Sequence, residues 1–192
     1  FSNAAAVLSD NGDGMRQIVS YIISMGHQRI AYIHGKDSSV TKERLVSFYR
    51  TMEEYEIPVR EAYVLEAEYT DPVLAAERTR ELLKLKNPPT CIIYTDDYAC
   101  IGGIGAIEEN GLAVPDDVSV AGYDGIPVGT IIKPKLTTIM QDTDQIGRCA
   151  ARKIVDLIER PKTTTVDIQS ISVRLEKGQS VKDMTYRGGK RP

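Results

Sequence analysis

Residues 89–125 read PTCIIYTDDYACIGGIGAIEENGLAVPDDVSVAGYDG, and this stretch decides the fold. Residues 90–94 are a short apolar run closed by Thr95-Asp96-Asp97, the pattern of a strand buried on both faces. A helical stretch follows from about residue 97 to 110, and residues 118–123 form a second apolar run ending in Gly122-Tyr123-Asp124-Gly125. Strand, helix and strand at this spacing make a βαβ unit, which places the two strands parallel in one sheet.

The same alternation extends outward in both directions. Upstream, Met15, Ile18, Val19, Ile22 and Ile23 form the stripe of an amphipathic helix that closes at Gly26. Residues 29–34 then predict a strand, Leu45, Phe48, Met52 and Tyr55 a second helix, and residues 62–65 another strand. A third helix runs from Asp71 towards Lys86, with Asp71 as its cap and Pro72 at its first position. Downstream, residues 136–140 predict a strand and residues 143–159 a long helix with Ile146, Ala150, Ile154, Leu157 and Ile158 on one face. Residues 166–175 alternate as one late strand, and a loose tail is expected after Lys177. The fold class expected is therefore α/β, a mainly parallel sheet flanked by helices.

Composition narrows the function. Three widely scattered cysteines, Cys91, Cys100 and Cys149, show no metal or redox spacing and suit reduced thiols in a cytoplasmic protein. No apolar run reaches the length of a membrane span, so no membrane partner is expected. A net charge of −3 argues against this segment itself gripping nucleic acid. The terminal Arg187, Lys190 and Arg191 read as a solvated end.

In such sheets ligands sit beyond the carboxyl ends of the strands, which selects four segments. In GKDSSVTKER (35–44), Ser38, Ser39 and Thr41 offer hydroxyls at a helix start and Arg44 lies one turn inside. That set suits anionic or polyhydroxyl ligands, but taken alone the segment is better explained by helix capping by Ser or Thr with Arg44 as a solvated surface charge. Tyr69 follows a strand and could stack on a sugar or base, or merely cover a core edge. Asp96 and Asp97 could accept hydroxyl hydrogen bonds, hold Mg²⁺ or take a phosphoryl group; the plainer role is capping the next helix. Asp124 places a carboxylate on a tight turn, where local backbone bonding is common.

Sharper motifs are missing. Gly102-Gly103-Ile104-Gly105 lies within a helix and lacks the spacing of a dinucleotide loop, and there is no phosphate loop, HExxH or GxSxG. His27 and His34 have no neighbouring Cys or Ser that would suggest a triad, so both read as structural or solvent-facing. No cofactor is expected.

Four blocks, MGHQRIAYIHG (25–35), SSVTKERLVSF (38–48), the 89–125 stretch above and PKLTTIMQDTDQIGRCAARKI (134–154), resemble the lactose-repressor/galactose-repressor family of transcription regulators in order and spacing. The resemblance covers residues 9–175. It implies a periplasmic-binding-protein-like effector domain of two α/β lobes joined by three crossovers, without the DNA-binding head and most of the first lobe. On that reading residues 1–10 are a first-lobe remnant and crossover, and 11–141 are the second lobe. Residues 142–165 are a helix normally belonging to the first lobe, 166–177 the final second-lobe strand, and 178–192 a loose tail.

The resemblance also assigns residues. Arg44 and Asp124 would contact the effector, joined by Asp96, Tyr69, Ser38 and Gln141, the last at a crossover facing the cleft. Ser47 stands where the family usually has Gly. Ile101, Ile131 and Ile132 match dimer-facing segments, though Ile101 could equally pack in the core. The implied function is non-enzymatic: a small polar effector such as a sugar or nucleoside shifts the DNA affinity of a homodimer whose DNA contacts lie in an N-terminal head. A solute-binding protein serving a transporter or receptor is the alternative, and an enzyme using Asp96 and Asp97 with Mg²⁺ a more distant one.

Overall fold

The computed structural model describes residues 4–161 and 163–185. In chain order the elements are β1 (Ala6–Ser9), α1 (Asn11–Ser24), β2 (Ile30–His34), α2 (Ser39–Glu54), β3 (Val64–Glu66), α3 (Pro72–Leu83), β4 (Cys91–Ile93) and α4 (Asp97–Glu109). Then follow β5 (Ser119–Ala121), α5 (Val128–Ile131), β6 (Thr138–Met140), α6 (Thr143–Glu159), β7 (Ile168–Ile171) and β8 (Arg174–Glu176).

The main sheet has the order β3-β2-β4-β5 and every pairing is parallel. β2 is one of its two interior strands, and Ile30, Ala31, Tyr32 and Ile33 are all buried. Helices cover both faces. On one, Met15, Ile18, Val19 and Ile22 of α1 pack with Phe48 and Met52 of α2 against Ile30, Tyr32 and Ile93. On the other, Ala75 and Leu82 of α3 and Ile104 and Ile107 of α4 pack against Ala31, Ile33 and Ile92. The fold class is the α/β architecture expected.

Each long helix starts on an oxygen that accepts from an otherwise unpaired first-turn N–H. Asp10 accepts from Asp13 N, Ser38 from Thr41 N, Asp71 from Val73 and Leu74 N, Asp96 from Ala99 N, and Asp142 from Gln145 N. These caps fix where α1, α2 and α4 begin, at the carboxyl edge of the sheet.

Three details differ from the sequence reading. The expected strand at 62–65 begins as a 3₁₀ turn, Glu61–Tyr63, and becomes extended only at Val64. The expected single strand at 166–175 is two strands in different sheets: β7 pairs parallel with β1, and β8 antiparallel with β6. The break between them sends Val173 into the first core cluster, which a continuous strand in one sheet would not do. Nor is the chain loose immediately after Lys177. Ser180 O accepts from Val120 N, Ser180 Oγ accepts from Thr137 N and donates to Val120 O, and Met184 N donates to Met25 O. These residues supply partners to the edge of β5, whose backbone groups would otherwise lie buried and unpaired. Arg187, Lys190 and Arg191 fall outside the described residues.

β1, β7 and α6 form a smaller unit beside the main sheet. α6 has no fully buried residue, and Ile154, Val155 and Ile158 lie exposed. Among the described residues, no helix is long and apolar enough to cross a membrane.

Candidate functional site

Polar side chains gather at the carboxyl ends of β1, β2, β4, β5 and β6, and Arg44 is at their centre. It lies in the second turn of α2 and is 3% exposed, a degree of burial that a guanidinium tolerates only when its donors are matched. Nε donates to Asn11 Oδ1 at 3.0 Å and Nη1 to the Thr95 carbonyl at 2.9 Å. Nη2 faces Asp124 Oδ1 at 3.7 Å. The guanidinium carbon stacks 3.4 Å from the centroid of the Tyr123 ring, with the Tyr69 ring 6.0 Å away. A solvated surface arginine is excluded by this environment.

Asp124 sits on the turn after β5 at φ 95°, in the left-handed half of backbone space where a non-glycine residue is strained. Gly125 continues the turn at φ 70°, and a Cβ there would lie 2.1 Å from Met140 Sδ. The turn is pinned to β6, because Asp124 N donates to Ile139 O. Gln141, just after β6, donates from Nε2 to Asp124 Oδ1 at 2.5 Å, and its Oε1 accepts from Ser9 Oγ. Burial raises the Asp124 pKa, opposed by Arg44 and Gln141. Ser9, Gln141, Asp124, Arg44 and Asn11 thus form one continuous polar chain across the ends of β1, β6 and β5.

Tyr69 closes one side of this group. Its hydroxyl shares a hydrogen bond with Thr41 Oγ1 at 2.9 Å, and its ring lies flat on Gly35, where a Cβ would meet a ring carbon at 2.1 Å. Ser38 takes no part. It caps α2 and donates to Thr41 Oγ1, holding the hydroxyl that Tyr69 uses. Asp96 is buried with its oxygens engaged: Ala99 N reaches Oδ1, while Thr70 N and Thr95 Oγ1 reach Oδ2. It caps α4 and ties the Tyr69 loop to the sheet edge.

Asp97, its neighbour, faces the opposite way, towards the Asp124 turn. Its Oδ1 accepts from Thr138 Oγ1 at 2.6 Å and its Oδ2 from Ile126 N at 2.8 Å. Burial pushes its pKa up to about 6, with the bonds from Thr138 and Ile126 opposing and Asp124 adding to the rise.

The structure therefore brings Arg44, Asp124, Gln141 and Tyr69 to one edge, with Asp96 behind them and Ser38 at the periphery. A cleft of 530 Å³ opens on the Gln141 side, between the start of α6 and residues 172–174. The guanidinium itself is covered by the two tyrosines. Asn11, Thr95 and Tyr123 were not anticipated, since their parts depend on where Arg44 lands in space. Tyr32, beneath the same cluster, is fully buried, and its hydroxyl finds no hydrogen-bond partner among the described residues. Both histidines are structural. His27 bridges Thr90 and the Lys182 carbonyl, with burial lowering its pKa, and His34 contacts the Gly35 carbonyl. Of the expected dimer residues, Ile131 is 76% exposed, Ile101 is half-buried on α4, and Ile132 packs against the second core cluster.

Residues 19–181 match the family model described as "Periplasmic binding protein-like domain". The chain is 34% identical over 158 residues to the Bacillus subtilis (strain 168) protein named "Probable HTH-type transcriptional repressor ExuR", covering 82% of this chain and 47% of that protein. It is also 34% identical to the HTH-type transcriptional repressor PurR of Actinobacillus pleuropneumoniae serotype 3, with the same coverage. Among solved structures, it resembles a LacI family transcriptional regulator from Enterococcus faecium with bound ribose. There the TM-score is 0.86 and the identity 27%, over 96% of this chain and 67% of that one. The chain spans about half the length of the curated relatives it matches. By its residues 19–181 and by these relatives, the chain belongs to the periplasmic binding protein-like domain family, in the form found in LacI-type transcription regulators.

Proposed function

We propose that this chain is the effector-sensing part of a DNA-binding transcription repressor, and that the effector is a neutral polyhydroxyl metabolite such as a sugar or nucleoside. The observation that carries the reading is the polar chain Ser9–Gln141–Asp124–Arg44, laid across the carboxyl ends of β1, β6 and β5. The Arg44 and Asp124 charges offset one another, so the site favours a ligand with hydroxyls over one with net charge. Asp124 presents carboxylate acceptors and Gln141 an amide, and the half-buried Tyr69 brings an apolar ring to the same edge. A matched hydroxyl satisfies such groups, while an analogue lacking it leaves a buried partner unpaired at about 1–3 kcal/mol.

In the whole regulator, effector binding at the cleft shifts the balance between lobe arrangements of a homodimer, and so shifts the DNA affinity of a separate head. The Enterococcus faecium regulator with ribose and the repressor relatives support this reading over a transport-linked solute-binding protein. α6 with β1 and β7 is read as part of the opposite lobe. The test is a thermal-shift and amide-NMR screen of pentoses, hexoses, uronic acids, nucleosides and amino acids. A polyol or nucleoside is expected to move the resonances of Asp124 and Gln141, and no response from any of these classes contradicts the proposal.

A further inference from the structure

We infer that Asp97 is a positioning residue of the cleft: it clamps the exit of the Tyr123–Asp124–Gly125–Ile126 turn to β6, so that Asp124 meets Arg44 and Gln141. The turn is held at its entrance by backbone pairing, with Asp97 N donating to Tyr123 O and Asp124 N to Ile139 O. Its exit has no strand to lie in. There the Asp97 side chain takes over, accepting from Ile126 N through Oδ2 while its Oδ1 accepts from Thr138 Oγ1 of β6. One carboxylate thereby bridges the turn and the strand that delivers Gln141.

Two further features of the sequence fit this clamp. A Cβ at Gly122 would lie 2.1 Å from Asp97 Oδ1, so the glycine leaves the carboxylate the position it holds. Asp124 occupies a strained φ of 95°, a conformation that persists only where the surroundings over-determine it. Asp97 is fully buried and has no cation among its contacts in the described residues, so the carboxylate is retained against an unfavourable environment. Helix capping does not account for it, because Asp96 already performs that role for α4.

That Asp124 then serves an effector rests on the function proposed above; the clamp itself can be read without any ligand. The experiment follows the Ile126 amide by hydrogen exchange and the Gln141 side-chain amide by NMR in this chain. In Asp97→Ala, Ile126 exchange is expected to speed up by about tenfold or more, and the Gln141 amide pair to move as its bond to Asp124 loosens. Asp97→Asn, which keeps an acceptor for Ile126 and can donate to Thr138, should restore both signals. If Asp97→Ala does not fold, Thr138→Val removes the β6 half of the clamp and should still displace the Gln141 pair. A folded Asp97→Ala or Thr138→Val variant with wild-type Ile126 protection and unmoved Gln141 resonances overturns the inference. Absence of any effector in the screen would leave these signals untouched and would count only against the proposed function.

Discussion

The Arg44 guanidinium lies 3.4 Å above the centroid of the Tyr123 ring while two of its nitrogens donate to Asn11 and Thr95. This arrangement uses the planarity of arginine as well as its charge, since one face stacks and the edges donate. Lysine offers a single ammonium and cannot do both. Arg44→Lys is therefore expected to destabilise the chain by about 2 kcal/mol, because Asn11 Oδ1 or the Thr95 carbonyl loses its donor. Urea unfolding checks this, and a loss below about 0.5 kcal/mol would count against the stacking and hydrogen bonds as stabilising contacts.

Asp97 makes the opposite prediction. Its pKa is about 6 in the folded chain, against an ordinary value of 3.8. Between those values the folded state holds more protons than the unfolded one, so the Asp97 contribution to stability falls as pH rises through that window. Asp97→Asn removes the buried charge. The variant should be more stable than wild type near neutral pH, by up to about 3 kcal/mol, with the advantage vanishing near pH ~4. Thermal melts across that pH range measure it; equal stability at neutral pH contradicts the burial argument.

Tyr32 offers a third test. A buried hydroxyl without a partner contributes desolvation cost and no bond. Tyr32→Phe should leave stability unchanged or raise it by about 1 kcal/mol, read as a shift in the urea midpoint. A loss of that size would mean that the hydroxyl has a partner in solution.

The apolar face of α6 is predicted to be dispensable for the fold of the main sheet. Ile154 and Ile158 are 58% and 74% exposed, so Ile154→Lys with Ile158→Glu should change stability by less than about 0.5 kcal/mol. The pair should also reduce self-association at high concentration, because exposed apolar patches promote it. Sedimentation and thermal melts together separate the two effects.

The sequence made some of this legible and hid the rest for physical reasons. α6 was legible over residues 143–159 because its apolar positions fall on one helical face. The edge of the sheet that carries the site followed from the alternation of strand and helix. β7 and β8 were read as one strand because both alternate in the same manner, and only the core position of Val173 shows that the chain changes sheets between them. Asp124 was visible as a carboxylate on a glycine-flanked turn. The stacking of Arg44 on Tyr123, and the opposite orientations of Asp96 and Asp97, depend on tertiary packing that no local pattern encodes. Ser38, expected among the effector contacts, also fills the capping role that a hydroxyl at a helix start allows, accepting from Thr41 N.

The central claim is that Asp124, Arg44 and Gln141 form the effector site, and the most direct measurement is a calorimetric titration. The strongest polyol or nucleoside from the screen is titrated into wild type and into Asp124→Asn, with folding of the variant checked by amide NMR. The account predicts that Asp124→Asn weakens binding by about tenfold or more, the consequence of losing a charged acceptor for a ligand hydroxyl. An unchanged Kd in a folded variant would contradict it.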